Sequence, residues 1–385
     1  MSTRWLIRFS ALGVGVLIAS LVLTALPGVA VAQAPTLAPP NPIPTLADFW
    51  AGRAEWAIEV ADTGLPVGES DTLYMGDGVY WSYLHASTQS AGVLDSCGGE
   101  VAFPGCVTRW VSTDGGQHFS LDEPRCLLAC DSCPCDADDL TAQQQYPRVA
   151  RAPSGMFYMA FEHHAQTFLT RSADGVHWAR PWWVRGTGVW SLSEGYCPPA
   201  LRIHPHPFWT PDDDCMAGGP PGLIVSGGRI TVFVDLGQNP GHMGCFQSAP
   251  GNDHVFWPCS GNPLFSGASE YGPLDALDAA ANPYFDFRYI TSADVLAADG
   301  MLYMTYEGVR GPGPSAGGDS QFALGFARSP AINGPWQEYP GNPALGDVAF
   351  NWGVGHADLV IVDGVAYLYT ASPDLRRARY TLIFR

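Results

Sequence analysis

About every seventy residues the chain repeats one arrangement: an apolar strand, a two-residue turn, an aromatic-rich strand, and later a Ser-containing turn closed by an aromatic. The turn pairs are Asp77-Gly78, Ser154-Gly155, Gly227-Gly228, Asp299-Gly300 and Asp363-Gly364. They sit within LYMGDGVYWSYLH, RAPSGMFYMAFEH, LIVSGGRITVFVD, VLAADGMLYMTYEG and LVIVDGVAYLYTA. β-Branched and aromatic residues alternating around a Gly-containing pair predict a β-hairpin, because such turns need positive φ. Four copies run on into a second hairpin, at TRWVSTDGGQHF, FLTRSADGVHW, GCFQSAPGNDHVFW and GFARSPAINGPW. Two hairpins make a four-stranded antiparallel blade. Five blades in a ring make an all-β, five-bladed β-propeller.

Residues 1–32 are expected to be a secretory signal, with Arg4 and Arg8 at its head, an apolar stretch from Ala11 to Leu26, and Ala30-Val31-Ala32 at the cleavage site. An uncleaved membrane anchor is the alternative, because the apolar stretch is long. The Pro-rich segment 33–45 reads as an extended linker, and 46–385 as the propeller. The chain carries 37 acidic and 19 basic side chains, all of the latter arginine. Losing Arg4 and Arg8 with the signal takes the formal charge from −18 to −20. Such a surface excludes nucleic acid and anionic lipid as natural partners. No membrane association beyond export and a monomeric state are expected. Ten cysteines on an exported chain point to disulfides. Cys245 and Cys259 flank one hairpin and can staple it; Cys97 and Cys106 fall in an insertion, and Cys197 and Cys215 bracket a connection. The crowded Cys126, Cys130, Cys133 and Cys135 are expected to form two local disulfides, with a metal site as the alternative.

In a propeller the first strand of each blade lines the axis, and the start of strand 1 lies beside the end of the antiparallel strand 2. Counting back from the turns, the strand 1 entries are Asp71, Arg148, Gly222, Asp294 and Asp358. Counting forward, the strand 2 exits are His85, Glu162, Asp235, Glu307 and Ala371. This register needs one extra hairpin residue in the first two blades. Acids converging from several repeats on one pit suit a cation, a shared proton or a polyhydroxylated ligand. Taken singly, each acid can equally cap a turn or stay solvated. His163-His164 and the His204, His206, Asp212, Asp213, Asp214 loop are metal-like in composition but fall on irregular connections.

More specific residues follow in the fifth repeat. Trp352-Gly353-Val354-Gly355-His356-Ala357-Asp358, running into LVIVDGVAYLYTA, resembles the last blade of family 43 glycoside hydrolases and their arabinanase, β-xylosidase and β-fructosidase relatives. SADVLAADGMLYMTYEGVR resembles the preceding blade. The Ser172–Trp178 and Ser112–Phe119 turns are similar to the Asp-boxes of sialidases, but five blades without an arginine triad do not fit that family.

The family resemblance implies inverting hydrolysis of a carbohydrate, with an Asp base on blade 1, a pKa-tuning Asp on blade 3 and a Glu acid on blade 4. Asp71 matches the base, and His356 matches an axial histidine. The chain departs at Gly222, where an acid belongs, and at Thr291 or Ser292, in the Glu position; Asp294 or Glu307 then becomes the acid. Arg148, His85, Glu162, Asp235 and Asp358 are expected to contact substrate. No cofactor is required, though a divalent cation such as calcium beside His356 is an alternative. Trp81, Tyr83, Tyr306 and Trp352 either stack on sugar or fill the seams between blades. A non-catalytic carbohydrate- or protein-binding propeller is the competing reading; a lyase or phosphorylase is a third, the latter short of basic residues beyond Arg148 and Arg310.

Overall fold

The computed structural model describes residues 42–86, 92–101, 105–136, 144–164, 166–190, 215–236, 241–267, 285–286, 289–310, 321–345 and 356–385. The expected signal and most of the expected linker lie outside these residues, as do Cys197, Trp352 and the His204–Asp214 loop.

A single helical turn, α1 (Leu46–Trp50), opens the folded part. Thr45 caps it reciprocally: its hydroxyl accepts the Asp48 N–H at 3.2 Å, and the Asp48 carboxylate accepts the Thr45 N–H at 2.9 Å. Strand β1 (Ala54–Val60) follows. Blade 1 holds β2 (Ser70–Gly76), β3 (Val79–Ala86), β4 (Cys106–Ser112) and β5 (Ser120–Leu121). Blade 2 holds β6 (Gln145–Arg151), β7 (Phe157–His163), β8 (Gln166–Ser172) and β9 (Trp182–Trp183). Blade 3 holds β10 (Gly188–Trp190), β11 (Cys215–Ser226), β12 (Arg229–Asp235), β13 (His242–Ala249), β14 (Asn252–Pro258) and β15 (Phe265–Ser266). Blade 4 holds β16 (Tyr289–Ala298), β17 (Met301–Arg310), β18 (Gln321–Ser329) and β19 (Gln337–Glu338). Blade 5 holds β20 (Asp358–Val362), β21 (Val365–Ala371) and β22 (Arg377–Phe384).

Five antiparallel sheets result, in the chain order the repeats predict. Blade 3 departs from four strands: β10 is added inside β11, and β15 pairs with β13. Blade 5 lacks a fourth strand of its own and takes β1, with Ala54 opposite Phe384 and Val60 opposite Arg379. The ring is thus closed by its first strand and its last.

The predicted turns hold. Asp77 and Gly78, Gly227 and Gly228, Asp299 and Gly300, and Asp363 and Gly364 all have positive φ, the geometry whose twist matches the flanking strands. The extra residue of blade 1 is absorbed by a bulge between Tyr74 and Gly76, and that of blade 2 by a longer loop joining Arg151 to Phe157. Apolar residues from facing blades fill the seams. Blades 3 and 4 share Phe233, Met243, Val295 and Met304; blades 1 and 2 share Tyr83, Val107, Met159 and Phe161. Trp81 stacks on Phe157 at 6.0 Å, and Tyr83 and Tyr306 are fully buried, so these three aromatics are seam residues.

Cys245–Cys259 forms as expected. The crowded cysteines pair differently from the expectation: Cys130 bonds Cys135 within the run, but Cys126 reaches Cys106 and Cys133 reaches Cys97. The last two tie the segment after β5 back to the first residue of β4 and to the insertion before it. Among the described residues no helix is long and apolar enough to cross a membrane.

Candidate active site

The strand 1 entries face equivalent partners across their hairpins: Asp71 opposite Tyr83, Arg148 opposite Ala160, Gly222 opposite Phe233, Asp294 opposite Thr305 and Asp358 opposite Tyr369. They occupy one register level, and four of them meet. Arg148 Nη1 donates to the Ser70 carbonyl at 3.0 Å and to Asp358 at 3.3 Å, and lies 3.9 Å from Asp71. Its Nη2 donates to the carbonyl and hydroxyl oxygens of Ser292, at 3.0 and 3.2 Å. Asp358 has no exposed surface and also accepts from Ser70 Oγ at 2.7 Å, Thr72 Oγ1 at 2.8 Å and Arg377 Nη2 at 3.0 Å. Arg377, equally buried, holds the Gly68 and His356 carbonyls at 3.0 and 2.8 Å. Its pairing strand, β22, carried no such expectation.

Two acids of this level share a further device. Asp71 accepts the backbone N–H of Val149, and Asp294 accepts that of Leu359 at 2.5 Å. Each carboxylate thereby clips its blade to a residue one past the corresponding entry of another. Burial, with Asp294 and Asp358 nearby, lifts Asp71 well above the usual carboxylate range, against the pull of Arg148 and the Val149 amide. Burial likewise brings Asp294 to about 6, against the pull of Arg148 and the Leu359 amide. Three acids are gathered around two guanidiniums, and the pKa values of two of them, Asp71 and Asp294, are raised.

Two residues nearer the mouth stand Glu69, Tyr146, Ser292 and His356 on the first strands or just before them, beside the strand 2 exits. Tyr146 and Ser292 both have φ of 53°, unusual for non-glycine residues, at bulges between Gln145 and Arg148 and between Thr291 and Asp294. A chain of alternating carboxylates and imidazoles crosses blades 4, 5 and 1. Glu307 Oε2 lies 3.0 Å from His356 Nδ1; His356 Nε2 lies 3.9 Å from Glu69 Oε1; Glu69 Oε2 lies 3.2 Å from His85 Nδ1. Tyr146 stacks on the His356 ring at 5.4 Å and 12°. Burial opposes ionisation of Glu69, but the His85 contact and the His356 charge outweigh it and draw the carboxyl down to about 2. Burial would also neutralise His356, yet Glu307 and Glu69 raise its pKa. Burial, reinforced by Glu69, Glu162 and Glu307, keeps the Tyr146 phenol neutral.

Asp71, Asp294, Glu307, Arg148, His85, Asp358 and His356 therefore converge on the axis. Glu162 pairs across its hairpin with Gln145 and acts on Tyr146 from the side. Asp235 stands apart. It is buried, its Oδ1 has no hydrogen-bond partner among the described residues, and burial alone raises its pKa. Blade 3 gives the inner level only Gly222, and packing explains why: a Cβ there would meet the Ala293 carbonyl oxygen at 2.7 Å and the Ala293 Cβ at 2.8 Å. Blades 3 and 4 approach too closely for an acid.

Among the described residues no group of three potential ligand atoms includes His356, whose ring nitrogens face Glu69 and Glu307. Among the described residues the one group of three potential ligands is Cys97, Cys130 and Cys135, whose sulfurs are engaged in disulfides. His163 and His164 contact each other at 4.3 Å at the end of β7.

Glu69, Tyr146 and Arg377 were not anticipated. Glu69 was legible: it precedes Asp71 by two residues, as His356 precedes Asp358.

No protein-family profile matches the chain, and no curated protein matches it. Many solved structures similar to it are family 43 and family 62 glycoside hydrolases. The likeness is one of fold. A thermostable family-43 glycoside hydrolase aligns at 13% identity and TM-score 0.48, covering 84% of this chain and 90% of its own. The endo-arabinase from Bacteroides thetaiotaomicron aligns at 13% and 0.48, covering 86% and 97%. The catalytic domain of the Coprinopsis cinerea GH62 α-L-arabinofuranosidase aligns at 12% and 0.49, covering 86% and 96%.

Proposed function

We propose that the chain is an exported glycoside hydrolase acting at the propeller mouth by acid–base catalysis. The observation that carries this reading is the divergence of two buried carboxyls held on the first strands of blades 1 and 4, or just before them. Glu69 is drawn down to about 2 while Asp294 is raised to about 6. Carboxyls pushed apart in this way can serve as base and acid in one site. At mildly acidic pH Asp294 holds a proton for the leaving oxygen, and Glu69, ionised throughout, accepts one from the attacking water. This shifts the base from Asp71, which burial and like charge keep protonated, to the acid two residues before it. Glu307 acts through His356, fixing the imidazole that flanks Glu69. Arg148 and Asp358 frame the site instead of touching substrate, because protein groups already engage them. The four disulfides among the described residues and the signal-like first 32 residues support export to an oxidising compartment.

The test is a panel of chromogenic arabinosides, xylosides, galactosides and fructosides against wild type, Glu69→Gln, Asp71→Asn and Asp294→Asn. Turnover of one class that falls by about 10³-fold or more in Glu69→Gln and Asp294→Asn supports the reading. Full activity in Glu69→Gln removes it. The inter-blade bonds of Asp71, Asp294 and Asp358 favour a second reading, a propeller whose axial acids are purely structural and whose mouth only binds carbohydrate. Retained glycan binding without turnover of any substrate would establish it.

A further inference from the structure

Two seams of the ring are closed by one device. Tyr83 of blade 1 donates its hydroxyl to the Gly175 carbonyl in the Ser172–Trp178 turn of blade 2, at 2.9 Å. Tyr369 of blade 5 donates to the Gly116 carbonyl in the corresponding turn of blade 1, at 3.0 Å. These tyrosines face Asp71 and Asp358 across their hairpins, and the residue facing Arg148 in the same way is Ala160. The turn of blade 3 that would receive a blade 2 tyrosine runs Ala249-Pro250-Gly251-Asn252 and lacks the Ser-x-Asp-Gly pattern. Among the described residues the seam between blades 2 and 3 therefore shows no such tie, and blades 3 and 4 likewise offer Phe233 and Thr305 in place of the tyrosine. A cleft of about 370 Å³ opens there, lined by Ser154, Tyr158, Arg171, Ile230, Asn252 and Asp253 among others. It lies at the hairpin turns, the side away from the mouth.

The cleft is braced from both sides. Arg171 Nη1 donates to Asp253 Oδ2 at 2.9 Å, and Trp182 Nε1 donates to the Asp253 carbonyl at 2.7 Å, both across the seam. Trp182 also packs on His254 at 4.4 Å. The Arg171 side chain remains 47% exposed, with guanidinium donors left for a ligand. A tyrosine ring beside Ile230, a fixed guanidinium–carboxylate pair, and hydroxyl and amide groups at the rim suit a neutral polyhydroxylated ligand. Asp253 and the formal charge of −18 disfavour an anionic one.

We propose that this cleft is a second carbohydrate-binding site, which holds a segment of the same glycan chain that the mouth processes. The ligand class rests on the carbohydrate reading of the mouth; the location does not. The full chain is run cold through native gels containing soluble arabinan or arabinoxylan, alongside Ser154→Trp, which fills the cleft from an exposed turn, and Tyr158→Ala. Melting curves confirm that both variants are folded. Retardation by one polymer, weakened about fivefold or more in both variants, is the expected result. Equal retardation of wild type and both variants, or none of wild type in either gel, overturns the proposal. Retardation lost in Ser154→Trp but kept in Glu69→Gln places binding in the cleft even if no substrate is ever cleaved.

Discussion

At the scale of single residues, the axis separates into groups that hold the blades and groups free to react. Asp358 belongs to the first kind, with every hydrogen bond it accepts coming from within the protein. Replacing it by Asn leaves two buried arginines short of a counter-charge, and a loss of about 3–5 kcal/mol is expected, measured as the urea midpoint. Glu69 belongs to the second on the proposed mechanism, and Asp294 to both, since it also holds the Leu359 amide. On the proposed mechanism activity requires Asp294 protonated and Glu69 ionised, so it should be greatest between about 2 and 6 and fall as pH rises through 6. Stability carries the same sign for Asp294. Its folded pKa lies above the ordinary 3.8, so its contribution is complete below that value and is lost as pH rises through about 6. Glu69 runs the other way, its contribution present above 4.5 and lost as pH falls towards about 2. An activity profile flat from pH 4 to 8 would dismiss the Asp294 assignment. The carboxylates were legible in the sequence because they recur at fixed distances from the turns. Their division of labour was not, because it depends on which amides and guanidiniums fold against each one.

At the scale of elements, hairpins were legible wherever a turn demanded two residues of positive φ, since few sequences satisfy that requirement. The short β10 and β15 of blade 3 were not, because two or three residues carry no usable periodicity. Cysteine pairing was only partly legible: the hairpin staple follows from local spacing, whereas Cys106–Cys126 and Cys97–Cys133 depend on how an insertion folds back. Gly222 shows an element-level constraint overriding a family pattern, for the β11–β16 approach leaves no space for a side chain. Restoring the missing acid as Gly222→Asp should therefore lower the melting temperature by several degrees or abolish soluble expression, instead of improving activity. A stable Gly222→Asp protein with unchanged melting would show that the blades part easily there.

At the scale of the whole molecule, the seams carry the stability, since five of the six apolar clusters among the described residues are built from facing blades. Ring closure through β1 and β22 was not legible, because the two strands are separated by nearly the whole repeat array. Removing residues up to Val60 strips the outer strand from blade 5 and uncovers the edge of β22, with Ile383 and Phe384 already 43% exposed. The truncated chain is expected to self-associate on size-exclusion chromatography and to unfold without a single cooperative transition. A monomeric, two-state product would mean that the clasp is dispensable. The same clasp imposes an order on biogenesis. β1 leaves the ribosome well ahead of its partner, so Ala54–Val60 remains an unsatisfied edge until Arg377–Phe384 has been translated, and the circle locks only then.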